Sequence, residues 1–264
     1  MAQKLSKRLR AVADFVTPGS VVADIGTDHG FLPVYLVERG ICPRAVAMDI
    51  RQGPLERARE HIQAAGLGQC IQVRLSDGMA KLGRNEADSA VIAGMGGLTV
   101  IHILEQAGER LLDLQELVLE PQSDPAKVRR YLREHRMLID REELVYEAGK
   151  FYPVLHVCVG GAAGQELPEP RCSGQRMMHI RTILTEKLGD EARVQEIFDT
   201  YGACVIGKGH PVLKRMLARD EKRALGILDA LAGREQTSEA RRREVELGLA
   251  QIRLLLSVLW ENGE

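Results

Sequence analysis

The segment between residues 21 and 32, VVADIGTDHGFL, constrains the fold of this chain more than any other. An apolar run ends in Asp24 and Gly26, a polar turn follows, and the next apolar residues can begin a helix. A strand–turn–helix unit with glycines at 26 and 30 lets a nucleotide-like ligand come close to the backbone. The glycine spacing matches neither the dinucleotide fingerprint nor the P-loop, so the motif disfavours a pyrophosphate ligand.

Three later segments end in similar signals. Asp49 follows a short apolar run about one βα unit after the turn, where a carboxylate can hold the two hydroxyls of a ribose. Asp77 and Gly78 follow an alternating segment, and glycine-rich residues 94–97 follow another apolar run. Each signal alone fits a surface acid or an ordinary turn. Their regular order predicts one ligand site at the ends of four neighbouring strands.

The alternation of strand and helix patterns predicts an α/β fold, in which a mainly parallel, Rossmann-like sheet carries helices on both faces. We expect Pro121 to stop the fifth strand and Asp124 to cap the helix that begins at Pro125. Two further strands should pair at the sheet edge. The expected helices are residues 4–16, 31–39, 55–65, 98–107 and 124–136, and the expected strands are residues 21–25, 45–50, 71–75, 88–93, 117–120, 137–147 and 151–159.

A change of composition after residue 159 predicts a second domain. Residues 160–170 are rich in Gly and Pro, and we place the domains at residues 1–165 and 166–264. Helical patterns at 213–231 and 238–259 predict an antiparallel hairpin with a break at 233–237, whereas residues 203–206 could form a short strand. The apolar stripe of the second helix is expected to pack within this hairpin rather than against a partner.

Composition and charge narrow the class of protein. No apolar run approaches the ~20 residues of a membrane span, and the basic N-terminus lacks the apolar core of a signal peptide. The five cysteines are scattered and form no C-x-x-C pair, and the histidines are dispersed. This pattern favours a cytoplasmic protein with no metal site and no disulfide framework. The net charge of −1 argues mildly against a nucleic-acid partner, although a local basic patch would suffice.

These motifs together resemble the bacterial tRNA adenine-22 N1-methyltransferases, the TrmK family. The resemblance is densest across residues 5–97 and continues loosely into a C-terminal helical appendage. One departure follows the fifth strand, where Glu120-Pro121-Gln122-Ser123 replaces an Asn-rich stretch that lies toward the target base in this family. The matching motifs are Leu5-Ser6-x-Arg8-Leu9, residues 23–33 (ADIGTDHGFLP), Gly53-Pro54-Leu55, Asp77-Gly78 and residues 92–97 (IAGMGG).

The resemblance implies a class I methyltransferase that moves a methyl group from S-adenosylmethionine to N1 of an adenine in tRNA. It makes Asp28 a candidate to stabilise the cationic product, although Asp28 could equally hydrogen-bond only backbone or cofactor. The fourth strand lacks the Asn/Asp-Pro-Pro-aromatic motif that grips an exocyclic amine, which fits attack by a ring nitrogen. The implied cofactor-binding residues are Asp24, Gly26, His29, Gly30, Asp49, Ile50, Asp77, Gly78 and Gly94.

Other functions remain open on the sequence alone. The chain could methylate a small molecule or a protein, or bind S-adenosylmethionine without catalysis. Residues 1–170 carry a net charge of −3 and residues 171–264 a net charge of +2. Because a flipped base offers only a small contact, we expect the basic C-terminal helices to grip tRNA. The alternative is that these charges only solvate the helices. The basic residues concerned are Lys208, Lys214, Arg215, Arg219 and Arg241-Arg242-Arg243.

Overall fold

The computed structural model describes residues 5–159, 174–232 and 239–261. The chain divides into two compact units, Met1–Pro170 and Arg171–Glu264. The expected domain boundary at residue 165 and the Gly- and Pro-rich linker lie outside the described residues. Within the described part of the chain, no helix is long and apolar enough to cross a bilayer.

The first unit is built on a seven-stranded sheet with the order β3-β2-β1-β4-β5-β7-β6. Strands β1 to β5 run parallel, and β7 lies antiparallel to both β5 and β6. This confirms the predicted Rossmann-like sheet and the edge pair. The strands are β1 Val22–Ile25, β2 Ala45–Asp49, β3 Ile71–Leu75, β4 Ser89–Gly96, β5 Glu116–Ser123, β6 Leu138–Glu147 and β7 Lys150–Cys158.

Helices cover both faces of the sheet, as the sequence predicts. Because neighbouring side chains of a strand point to opposite faces, β1 contributes Ala23 and Ile25 to one core and Val22 to the other. The first core also takes residues from α4 and α5, and the second takes residues from α1, α2 and α3. These helices are α1 Lys7–Ala13, α2 Phe31–Glu38, α3 Gln52–Ala64, α4 Gly97–Ala107 and α5 Pro125–Glu134.

Two expectations about the end of β5 are wrong. Pro121 lies inside the strand instead of stopping it. The β5–β7 pairing ends at Leu119, so beyond that residue β5 is paired with β4 only. A proline, which has no backbone N–H to donate, is tolerated in a strand that is unpaired on one side. Asp124 makes no capping hydrogen bond, because its backbone is left-handed (φ 49°) and its carboxylate pairs with Lys127 at 2.9 Å. Pro125 does occupy the start of α5.

The second unit is helical in its described part and contains the predicted hairpin. Glu221 pairs with Arg253 at 2.7 Å, and Lys214 lies 5.7 Å from the centre of the Trp260 ring, so the last two helices run antiparallel. The residues between them are outside the described part. The elements are α6 Gln175–Leu188, α7 Glu191–Tyr201, α8 Ala203–Lys208, α9 Pro211–Ala232 and α10 Glu239–Leu256, which continues into a π-helical turn, Ser257–Glu261.

Two further corrections concern α8. Residues 203–206 form part of this helix and not a strand, because a buried apolar run of four residues carries no period that separates the two structures. The scattered cysteines predict no disulfide framework, whereas Cys204 is disulfide-bonded. Cys42, Cys70 and Cys158 are not disulfide-bonded.

Candidate active site

A cleft of about 990 Å³ opens at the carboxyl ends of β1 to β4. Ligands of open α/β sheets bind at this edge, and the volume is at the upper end of the range for small-molecule sites. Eight of the nine residues implied as cofactor-binding line the cleft, and so does Asp28. The lining residues from the four strand ends are Asp24, Ile25, Gly26, Thr27, Asp28, His29, Asp49, Ile50, Arg51, Ser76, Asp77, Gly78, Ala93, Gly94 and Met95.

The turn after β1 strongly favours glycine at position 26. Gly26 has φ +79°, and a Cβ atom added there would lie 1.9 Å from the Cε of Met95. The N–H groups of Gly26 and Thr27 both donate to the Met48 carbonyl, at 2.7 and 2.8 Å. The turn is therefore tied to β2, and its bare backbone forms part of the cleft wall.

Two buried carboxylates lie at the ends of β1 and β2. Burial raises the pKa of Asp24 to about 6, the nearby Thr27 side chain opposes this shift, and the charge of Asp49 adds to it. One oxygen of Asp49 accepts the Arg51 N–H at 2.8 Å, and its other oxygen makes no hydrogen bond within the described residues. Perturbed carboxyl groups in a cleft are typical of functional sites.

The residues after β2 and β3 give the cleft an exposed apolar and acidic rim. Ile50 is 60% exposed although it is large and hydrophobic, and Asp77 is exposed in the same cleft. Gly78 is buried with φ +48°, and an added Cβ would lie 3.2 Å from Ile103. In such a cleft, an exposed apolar side chain can pack against the face of a flat heterocycle, and a carboxylate can accept a hydrogen bond from its polar edge.

Gly30 is the one implied cofactor residue that does not line the cleft. It starts α2 with φ +68°, and an added Cβ would lie 3.2 Å from the Cβ of Ala58 in α3. Its role in the described structure is therefore close helix packing, which is also a recognised role for glycine in Rossmann turns.

Asp28 and His29 occupy the rim of the cleft. The Asp28 carboxylate is 69% exposed and lies 3.6 Å from His29 Nε2 and 3.8 Å from Arg57. The His29 ring stacks on Phe31, with 5.1 Å between ring centres, and its carbonyl contacts His61 Nδ1 at 2.8 Å. Asp28 therefore has the freedom to meet a ligand, whereas His29 is fixed by its neighbours.

A third buried carboxylate, Glu120, was not singled out as a site residue from the sequence. It ends the apolar part of β5, and its Oε2 accepts hydrogen bonds from Arg8 Nη1 at 2.8 Å and from the Gly94 N–H at 2.9 Å. Burial raises the pKa of Glu120 to about 6, even though Arg8 and Gly94 act in the opposite direction. The signal was an apolar strand that ends in an acid, the same signal that identified Asp24 and Asp49.

Comparison with known proteins places this geometry in a family. The family described as a methyltransferase domain matches residues 5–155, more than half of the chain. The tRNA (adenine(22)-N(1))-methyltransferase of Bacillus subtilis is 40% identical over 152 residues. That match covers 58% of this chain and 64% of the relative, so the chain aligns with less than two thirds of the length of this curated relative.

Solved structures resemble the chain over nearly its whole length. The B. subtilis m1A22 tRNA methyltransferase TrmK is 27% identical with a TM-score of 0.72, covering 97% of this chain and 99% of that one. Sp1610 of Streptococcus pneumoniae, solved in complex with S-adenosyl-L-methionine, is 29% identical with a TM-score of 0.72, covering 97% and 100%.

These matches confirm the resemblance that the sequence motifs predict. The solved structures agree with the observed fold, each with a TM-score of 0.72. The chain belongs to the methyltransferase-domain family, and it is similar to the bacterial tRNA (adenine-22)-N1-methyltransferases.

Proposed function

We propose that this chain transfers a methyl group from S-adenosylmethionine to N1 of an adenine in tRNA, at position 22 as in its B. subtilis relative. The observation that carries the proposal is the cleft itself, in which the ends of β1 to β4 present a bare glycine turn and two buried carboxylates. Such a cleft suits a nucleoside ligand that lies across the strand ends.

The residues present fit S-adenosylmethionine. Gly26 leaves the backbone bare where the ligand passes over β1, and the free oxygen of Asp49 can accept hydrogen bonds from a ribose. Ile50 supplies an exposed apolar surface for the adenine ring, with Asp77 near its amino edge. Bound in this way, the cofactor supplies a methyl group that is already activated by a sulfonium.

The chain's own contribution is then alignment and electrostatics. Adenine N1 attacks the methyl group with its lone pair, so the protein has to hold the two groups in line. N1 is normally paired or stacked, and the base must therefore turn out into the cleft. The product ring carries a positive charge. The exposed Asp28 carboxylate at the rim is our candidate to stabilise that charge.

We assign the RNA backbone contact to the second unit, and within it to α9. The basic triplet of α10 has acidic partners, since Arg241, Arg242 and Arg243 each pair with a glutamate of the same helix. In contrast, Lys222 and Arg223 of α9 are exposed and form no ion pair within the described residues. Unpaired Lys and Arg side chains can neutralise phosphates.

The same proposal implies a cytoplasmic enzyme whose partner is folded tRNA, with no part for a membrane or a metal in the methyl transfer. One group of side chains that could hold a metal ion lies outside the cleft and consists of the carboxylate of Asp140, the imidazole of His156 and the thiol of Cys158. The two His156 nitrogens there are already hydrogen-bonded to Asp140 and Glu116. The methyl transfer proposed here needs no ligand at that cluster.

Methyl transfer to unmodified tRNA, followed by nucleoside analysis, tests the proposal. The full chain with tritiated S-adenosylmethionine should produce 1-methyladenosine and no other methylated nucleoside. A tRNA with guanine in place of adenine at position 22 is the matched control and should stay unlabelled. Absence of transfer to any tRNA, or methylation of another atom, would overturn the proposal.

A further inference from the structure

The guanidinium of Arg8 is fixed at the end of the cleft that lies beside β4 and β5. Its Nη1 donates to Glu120 Oε2 at 2.8 Å, and its central carbon lies 5.6 Å from the centre of the Tyr152 ring. The same Glu120 oxygen accepts the Gly94 N–H at 2.9 Å. One buried carboxylate therefore links the N-terminal helix to the end of β4.

Most of the donors of Arg8 are still available. Its Nε and Nη2 form no hydrogen bond within the described residues, and the side chain is 25% exposed where it lines the cleft. Glu120 is fully buried and does not line the cleft, and its Oε1 has no hydrogen-bond partner in the described part of the chain. A guanidinium held in this way offers a planar pair of N–H groups, which matches an oxyanion of a ligand.

The order of the strands indicates which oxyanion this is. In the proposed function, the nucleoside lies over β3 and β2, where Asp77 and Asp49 are found. The sheet then continues through β1 to β4, at about 4.8 Å per strand. At the end of β4, a Cβ atom added to Gly94 would lie 3.8 Å from Arg8 Nη1. The part of the methyl donor that remains to be held there is its amino-acid chain, which ends in a carboxylate.

We propose that Arg8 binds the carboxylate of the methyl donor's amino-acid part, and that Glu120 is the positioning residue that holds Arg8 for this contact. The inference rests on the proposed function and adds two residues to it. Glu120 acts through Arg8, because no atom of its side chain is exposed to the cleft. An RNA phosphate offers the same chemistry, and the experiment distinguishes the two sources.

Two ligands that differ in the amino-acid part provide the test. S-adenosylhomocysteine carries the carboxylate, and 5′-methylthioadenosine keeps the nucleoside and sulfur but lacks the amino acid. Calorimetry with the full chain should show that Arg8→Ala binds S-adenosylhomocysteine roughly 10- to 100-fold more weakly, the scale for losing a charge-assisted hydrogen bond. Binding of 5′-methylthioadenosine should be unchanged. Glu120→Gln should show the same selective loss, smaller in size.

Arg10→Ala is the matched control, because Arg10 lies on the same helix, is exposed and pairs with Asp14 outside the cleft. It should bind both ligands as the wild type does. If Arg8→Ala weakened the binding of both ligands equally, Arg8 would only shape the cleft, and the inference would be overturned. A different result would assign Arg8 to an RNA phosphate and would also overturn the inference. In that case Arg8→Ala would keep its affinity for S-adenosylhomocysteine, and the salt slope of its tRNA binding (log binding constant against log salt concentration) would be lower by about 1. If the wild type bound neither ligand, the proposed function itself would fail.

Discussion

His156 in β7 is enclosed between two acidic side chains, with Nε2 2.8 Å from Glu116 Oε2 and Nδ1 in contact with Asp140. Glu116 also accepts hydrogen bonds from the backbone N–H and the hydroxyl of Thr17, at 3.0 and 2.5 Å. These contacts connect β5, β6 and β7 to the segment that precedes β1. The cluster lies at the start of β5, at the opposite end of that strand from Glu120.

Stability should depend on the charge state of this cluster. Burial alone would lower the pKa of His156, but its hydrogen bonds to Asp140 and Glu116 raise that pKa above 6.5. Burial alone would raise the pKa of Glu116, but hydrogen bonds from His156 and Thr17 lower it to about 2. The His156 contribution is therefore complete below pH 6.5 and is lost as the pH rises through the folded-state pKa. The Glu116 contribution is complete above pH 4.5 and is lost as the pH falls toward 2.

His156→Gln should lower the free energy of unfolding by about 3 kcal/mol at about pH 6, because it removes the cation that lies between two buried carboxylates. The difference from the wild type should be smaller at a higher pH, beyond the raised folded-state pKa of His156. Urea denaturation of both proteins at the two pH values measures this. The prediction fails if the difference is the same at both.

Asp49→Ala should weaken the binding of S-adenosylmethionine by about 1–3 kcal/mol, because the variant lacks the carboxylate proposed to accept hydrogen bonds from the ribose. Asp14→Ala removes an exposed aspartate outside the cleft and should leave the affinity unchanged. Calorimetric titration of both variants checks this. Unchanged affinity in Asp49→Ala would remove the ribose contact from the proposal.

Asp28→Asn should reduce the turnover of methyl transfer and leave the affinity for S-adenosylmethionine nearly intact. The substitution keeps the size of the side chain and removes the negative charge that we assign to the cationic product. Single-turnover kinetics with saturating tRNA, alongside calorimetry of cofactor binding, separates the two effects. A parallel loss of affinity and turnover would instead identify Asp28 as a residue that shapes the cofactor site.

Replacing Lys222 and Arg223 of α9 by alanine should weaken tRNA binding and lower its salt slope by up to about 2, one unit for each phosphate that is no longer neutralised. The matched control is Arg242→Ala in α10, where the arginine is exposed but pairs with Glu246 at 2.9 Å. Filter binding across a salt series measures both. Equal salt slopes for the wild type and the α9 variant would contradict the assignment of RNA binding to this helix.

The sheet and the main outline of the cleft can be predicted from the sequence alone. The alternation of strand and helix patterns can be recognised within short stretches of sequence. The same holds for the signals that end a strand, which are an acidic residue or a glycine that gives the backbone more conformational freedom. Asp24, Gly26, Asp49 and Gly94 could therefore be assigned to one edge from the sequence, because parallel strands bring their carboxyl ends together. The hairpin of α9 and α10 followed from its helical period in the same way.

Contacts between residues that are distant in sequence become apparent only in the folded protein. Arg8 and Glu120 are 112 residues apart, and no local pattern pairs them. Gly30 belongs to the same turn as Gly26, yet it packs against Ala58 while Gly26 lines the cleft. Pro121 is accommodated in β5 because β7 stops pairing before it. The spacing of residues determines which groups share an edge, but contact, burial and charge pairing arise only when separate elements pack together.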